Sequence, residues 1–204
     1  MNVNVIGYNN TASNPYLFEN NLNYKLAALI NENNDKKPTL IFCSTRKAAS
    51  STAIHLSKEC SGKPFVLNQQ QQKKLNEASK RTNDKSLQNC IVNGIGYHSA
   101  GMSVQDRRLV EDLFLKSELL VICTTSTLAQ GVNFPAHLVI VKGTQQYRSG
   151  SGYVDIGELM LLQMIGRAGR PQFDDFGVAI IMTDAKKESQ YEDIVSRKQL
   201  VESQ

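Results

Sequence analysis

Two arginines three residues apart, Arg167 and Arg170, stand in the stretch QMIGRAGRPQFD that runs from Gln163 to Asp174. A guanidinium group is always charged and presents a rigid fork of N–H donors that suits phosphate oxygens. In phosphoryl transfer negative charge spreads over the transferred group, and a well-placed arginine is worth on the order of a thousandfold or more in rate. The plainer reading of the same pair is a solvated helix face, which contributes little. The spacing predicts both forks on one side of a single helical turn. Gly166 and Gly169 each cost a helix up to ~1 kcal/mol relative to alanine, which predicts a turn that must approach a neighbouring surface closely.

Other small, polar stretches follow apolar runs. Ser44, Thr45 and Arg46 follow TLIFC, the quartet His98, Ser99, Ala100 and Gly101 follows GIGY, and Thr124 and Thr125 end ELLVICTT. Hydroxyls, charge and backbone N–H groups at strand ends and helix N-termini attract phosphate. The plain alternatives are Ser/Thr caps and, for His98, a hydrogen-bonded structural histidine. A Gly-x-x-x-x-Gly-Lys-Ser/Thr phosphate loop is missing: SGKP at 61–64 lacks the upstream glycine and a hydroxyl after Lys63. No Asp-Glu-x-His or Asp-Glu-x-Asp stretch follows a strand. The parts that hold Mg²⁺ and orient an attacking water are therefore not in this sequence.

The 204 residues suffice for one sizeable α/β domain with a real core. A net charge of +4 permits nucleic-acid binding and proves nothing by itself. The longest apolar runs are strand-sized, too short to cross a bilayer, and MNVNVIGYNN does not read as a signal peptide. The four cysteines, Cys43, Cys60, Cys90 and Cys123, are far apart in sequence and read as reduced, buried thiols. His55, His98 and His137 show no metal-ligand spacing, so no metal site is expected.

The elements that must position these groups alternate strand and helix. LIFC, LLVIC, LVIV and VAIIM are apolar on both faces, as strands covered by helices on both sides are. The fold class expected is an open, mostly parallel α/β sheet with helices on both faces, and such sheets bind ligands at the carboxyl ends of their strands. Residues 1–20 read as an extended lead-in or linker. Leu22, Leu26, Leu29 and Ile30 share a helical face. Ala49, Ala53, Leu56 and Cys60 form the stripe of a second helix, and Leu75, Leu87 and Ile91 pack one or two short ones. A further helix is capped by Ser103, with Val104, Val110, Leu113 and Phe114 inward. DIGELMLLQMIGRAG reads as one helix, and the tail from Ala185 as another.

Together LIFCSTRK, GYHSAGM, TTSTLAQGVNFPA and QMIGRAGRPQFD resemble motifs IV, IVa, V and VI of superfamily 2 helicases, in the right order, over roughly residues 22–200. The resemblance implies a RecA-like domain over residues 21–184, the second of two, with the tail 185–204 leading toward a winged-helix domain. It implies that ATP, with Mg²⁺ held by the first RecA-like domain, is hydrolysed in the cleft between the two. Arg167 and Arg170 would then be catalytic, with Gln163, Gly131 and Asn133 on the nucleotide side. Ser44, Thr45, Arg46, His98, Ser99, Ala100, Gly101, Thr124 and Thr125 would lie along the nucleic acid. This chain alone would hydrolyse no ATP.

STLAQGVNFPAHLVIVKGTQQY and QMIGRAGRPQFD resemble the superkiller-like (Ski-like) branch, in which a hairpin between motifs V and VI parts the duplex. Here that hairpin would be GTQQYRSGSGYVDI, a turn signal between two tyrosine-bearing arms, with Tyr147 and Tyr153 placed to stack on a terminal base pair. LNYKLAALI, IFCSTRK and AIIMT look closer to the meiotic crossover DNA helicases, which implies a nuclear enzyme acting on single-stranded and duplex DNA. VKGTQQY looks as close to the spliceosomal RNA helicases. A third reading is an inactive cassette serving as a protein-binding platform, against which intact Gln163, Arg167 and Arg170 argue.

Overall fold

The structure is a computed structural model that describes residues 1–60, 65–128, 134–170, 174 and 176–202. Six parallel strands form one sheet in the order β1-β8-β5-β2-β4-β3. They are β1 (Asn2–Tyr8), β2 (Thr39–Cys43), β3 (Ile95–His98), β4 (Val121–Thr125), β5 (Leu138–Lys142) and β8 (Val178–Asp184). The other two strands, β6 (Gln145–Arg148) and β7 (Gly152–Asp155), pair antiparallel as a separate hairpin. Strands β2, β4 and β5 are buried at every position, the consequence of helices on both faces.

Seven α-helices are described: α1 (Pro15–Asn33), α2 (Arg46–Glu59), α3 (Gln69–Ser79), α4 (Lys85–Val92), α5 (Val104–Leu115), α6 (Glu158–Ile165) and α7 (Glu188–Glu202). Their starts follow capping chemistry. Asn14, Thr45, Asn68, Asp84 and Ser103 each accept a backbone N–H of the first turn, which satisfies donors that no carbonyl inside the helix can reach. Leu22, Leu26 and Ile30 of α1, Ala49, Ala53 and Leu56 of α2, Leu75 of α3, and Leu87 and Ile91 of α4 are all buried in one continuous core.

Three expectations are corrected. Residues 1–20 are not a lead-in: Asn2–Tyr8 pairs in parallel register with Val178–Asp184, and α1 begins at Pro15 behind the Asn14 cap. Proline suits that place because its missing N–H would be unsatisfied in any first turn. Val104 is not inward; it is 54% exposed. It stands at the first position of α5, off the stripe of Leu109, Val110, Leu113 and Phe114 that is buried. The helix expected through Gly169 ends at Ile165. All four cysteines are buried free thiols, and burial pushes Cys43 up to about 11 and Cys90 up to about 12.

Candidate nucleotide and nucleic-acid edges

The candidate residues separate onto two edges of the sheet. The adjacent strands β2, β4 and β3 end at Cys43, Thr125 and His98, so Ser44–Arg46, Thr124–Thr125 and His98–Gly101 meet at the carboxyl edge. Arg46 crosses to the neighbouring turn: a Cβ on Gly101 would lie 3.5 Å from Arg46 Cδ and 3.7 Å from Nη1. Arg46, Ala100 and Gly101 are exposed there, and Ser44 and Thr45 are half-buried. The α2 N-terminus, capped by Thr45, adds its dipole to the same edge.

Other members support this edge from beneath. Thr124 is fully buried, and its hydroxyl donates to the His98 carbonyl oxygen at 2.9 Å, tying β4 to β3. His98 Nε2 lies 2.7 Å from Glu111 Oε1 of α5, and its ring meets Phe134 edge-on at 6.2 Å. Both side chains therefore act as braces. Ser99 and Thr125 are nearly buried, and the Thr125 and Thr127 hydroxyls are 2.9 Å apart.

A buried polar cluster that the sequence reading missed underlies Ser44. Lys142, the last residue of β5, is fully buried. Its Nζ donates to Asn23 Oδ1 and Thr52 Oγ1, each at 2.7 Å, and lies 3.7 Å from Glu19 Oε1. Glu19 in turn accepts the Ser44 backbone N–H at 3.0 Å and the Ser44 hydroxyl. A buried ammonium needs such partners, because an uncompensated charge in the interior is costly. The only signal in the sequence is a lysine that closes the apolar run LVIVK.

The hairpin grows from this same edge: Gly143 and Thr144 join β5 to β6. Tyr147 and Tyr153 are cross-strand partners with ring centroids 5.6 Å apart in an edge-to-face contact. Tyr147 is 58% exposed. Tyr153 is half-buried and lines a cavity of about 210 Å³ with Pro15, Phe18 and Glu19. The two tyrosines are thus not equivalent: Tyr147 presents a face, and Tyr153 props it.

The arginine pair lies at the opposite, amino edge. Gln163 is exposed on α6. The chain leaves α6 through tightened turns, Arg167 N–H to Met164 O at 3.1 Å and Ala168 N–H to Ile165 O at 3.0 Å. Gly169 then takes φ +106°, a conformation that side-chain-bearing residues rarely adopt. Its N–H donates to Ala136 O at 2.7 Å, and Ala136 N–H donates to Arg167 O at 3.0 Å. The expectation that both arginines share one helical turn is therefore wrong. They stand on an irregular strap stitched to the residues that lead into β5. A close internal approach occurs instead at Gly177, where a Cβ would sit 2.3 Å from Gly169 N.

Arg170 donates from Nε and Nη2 to the two carboxylate oxygens of Asp174 at 2.8 and 3.1 Å. The Asp174 side chain, fully buried, also lies 3.2 Å from Lys37 Nζ and 3.6 Å from His137 Nδ1. Burial works to raise the Asp174 pKa, but the hydrogen bonds from Arg170 and Lys37 outweigh it and hold the carboxyl below its usual range. Burial lowers the pKa of His137 against the opposing pull of Asp174. Gly131 and Asn133 lie outside the described residues, and no group of metal-ligating side chains occurs among the described ones.

The family model described as "Helicase conserved C-terminal domain" matches residues 22–172. The chain is 44% identical over 205 residues, 98% of its length, to the ATP-dependent DNA helicase MER3 homolog of Oryza sativa subsp. japonica, covering 17% of that protein. It is 41% identical over 203 residues to the ATP-dependent DNA helicase MER3 of Saccharomyces cerevisiae, covering 98% of the chain and 16% of the relative. It is 41% identical over 171 residues to human activating signal cointegrator 1 complex subunit 3, covering 81% of the chain and 8% of the relative. The chain thus spans less than a fifth of each of these relatives. With a six-stranded parallel RecA-like sheet and four ordered motifs, the chain belongs to the helicase conserved C-terminal domain family, in the Ski-like branch of superfamily 2.

Proposed function

We propose that this chain is the second RecA-like motor domain of an ATP-dependent DNA helicase of meiotic recombination, acting in the nucleus. One observation carries the reading: phosphate-suited groups occupy two opposite edges of one sheet, so a nucleotide on one and a nucleic acid on the other would be coupled through rigid strands. The names of the MER3 relatives favour DNA as the substrate.

In this reading the first RecA-like domain of the same protein holds ATP and Mg²⁺, and this domain closes on it. Gln163, Arg167 and Arg170 supply donors to the terminal phosphate, and the arginines offset the charge that develops there. Gly131 and Asn133 would lie along the same cleft. ATP supplies the phosphoryl group. At the other edge Ser44, Thr45, Arg46, Ala100 and Gly101 grip the phosphate backbone without reading sequence, with His98, Ser99, Thr124 and Thr125 bracing them. Cleft closure and opening then move the strand, and Tyr147 stacks at the duplex junction.

The test is unwinding of sequence-matched DNA and RNA duplexes by the full-length protein with ATP. Expected is preferential unwinding of DNA, and loss of about tenfold or more of that unwinding in Tyr147→Ala with single-strand-stimulated ATP turnover kept. Preferential unwinding of RNA would replace the substrate, and loss of turnover together with unwinding would remove the wedge role.

A further inference from the structure

Arg170 does not stand alone at the amino edge. Asp174 accepts from its Nε and Nη2 side, a bidentate geometry that fixes both the position and the plane of the guanidinium. The carboxylate of Asp174 is fully buried, and Lys37 Nζ reaches it at 3.2 Å. Lys37 is delivered by an unusual turn: Asp35 and Lys36 take φ of +49° and +57°. The remaining positive-φ residue other than glycine among those described is Ser117, at +55°, and its hydroxyl lies 3.5 Å from Arg170 Nη1. All three left-handed residues therefore flank this one cluster. Backbone held in sparsely populated regions persists where the surroundings enforce it, and it gathers at functional sites.

We propose that Asp174 is a positioning residue that holds Arg170 by one side of its guanidinium and aims the other at the nucleotide, with Lys37 paired to the same carboxylate. This rests on the nucleotide role of Arg170 proposed above. Asp174 itself touches no substrate. The groups facing Asp174 are Arg170 on its own strap, Lys37 ahead of β2 and His137 ahead of β5, with Asp35 facing Lys37 at 3.5 Å.

The experiment is steady-state ATP turnover by the full-length protein with saturating nucleic acid, for Asp174→Asn, Arg170→Ala and the double variant. Expected for Asp174→Asn is a fall in kcat of about tenfold or more with KM for ATP within about twofold, and no further loss when Arg170→Ala is already present. Normal turnover in Asp174→Asn, or a loss that multiplies with that of Arg170→Ala, overturns the positioning role while leaving the arginine's own role standing. Unchanged turnover in Arg170→Ala overturns the reading of the site itself. Should Asp174→Asn not fold, Lys37→Met carries the test: with a stabilising cation gone, Asp174 protonates at higher pH, and the acid limb of kcat moves upward. An acid limb that does not move overturns the proposal.

Discussion

Replacing Arg170 with alanine in the full-length protein is expected to lower nucleic-acid-stimulated ATP turnover by about a thousandfold, and single-strand binding without nucleotide is expected to stay near normal. The first effect follows from losing a charge that would meet the terminal phosphate in the transition state. The second follows from the two edges. Arg170 touches Asp174 and Ser117 at the amino ends of the strands. Ser44, Arg46 and Gly101 lie at the carboxyl ends, the length of a strand away. Arg167→Ala should behave alike, because its carbonyl is pinned to Ala136 whatever its side chain. Turnover and binding assays on the same preparations separate these outcomes. Equal loss of binding and turnover would mean that the edges are not functionally distinct.

The second large effect concerns stability. Lys142→Met removes an ammonium that is fully buried and leaves Glu19, 4% exposed, without its cationic neighbour. Breaking a buried pair from one side costs about 3–5 kcal/mol, a large share of the ~5–15 kcal/mol by which a typical domain is stable. Urea unfolding should show a lower midpoint with an unchanged slope. Adding Glu19→Gln should recover part of the loss, because the orphaned carboxylate is then neutral. Equal midpoints for wild type and Lys142→Met would show that the ammonium sits in water.

The contrast between these two clusters shows where the sequence was readable. Strands β2, β4, β5 and β8 were legible because burial on both faces demands uninterrupted apolar runs. The motif order placed the carboxyl-edge residues, since each follows a strand. Strand β1 was missed because NVNVIGY is a half-buried edge strand whose alternating Asn and Val look like a polar lead-in until β8 supplies its partner. The arginine strap was misread as helix because periodicity gave no reason to stop at Ile165. The stop depends on Gly169 φ and on hydrogen bonds to Ala136, a residue more than thirty positions away that local pattern does not reveal. Asp174 stands four residues after Arg170, at a spacing that pairs charges on helices, and its N–H donates to Arg170 O at 2.8 Å. Lys37, His137 and Lys142 converge on their partners only after folding.

Transition-state discrimination tests the arginine strap most directly. The measurement is the affinity of the full-length protein for ATP and for ADP with aluminium fluoride, which mimics the transferring phosphoryl group, in wild type and in the Arg167→Ala, Arg170→Ala double variant. Expected is a loss of about a thousandfold in affinity for the mimic, with less than about tenfold for ATP, because such groups act chiefly on charge that develops in the transition state. Equal weakening of both ligands, or of neither, would contradict a catalytic role for the pair.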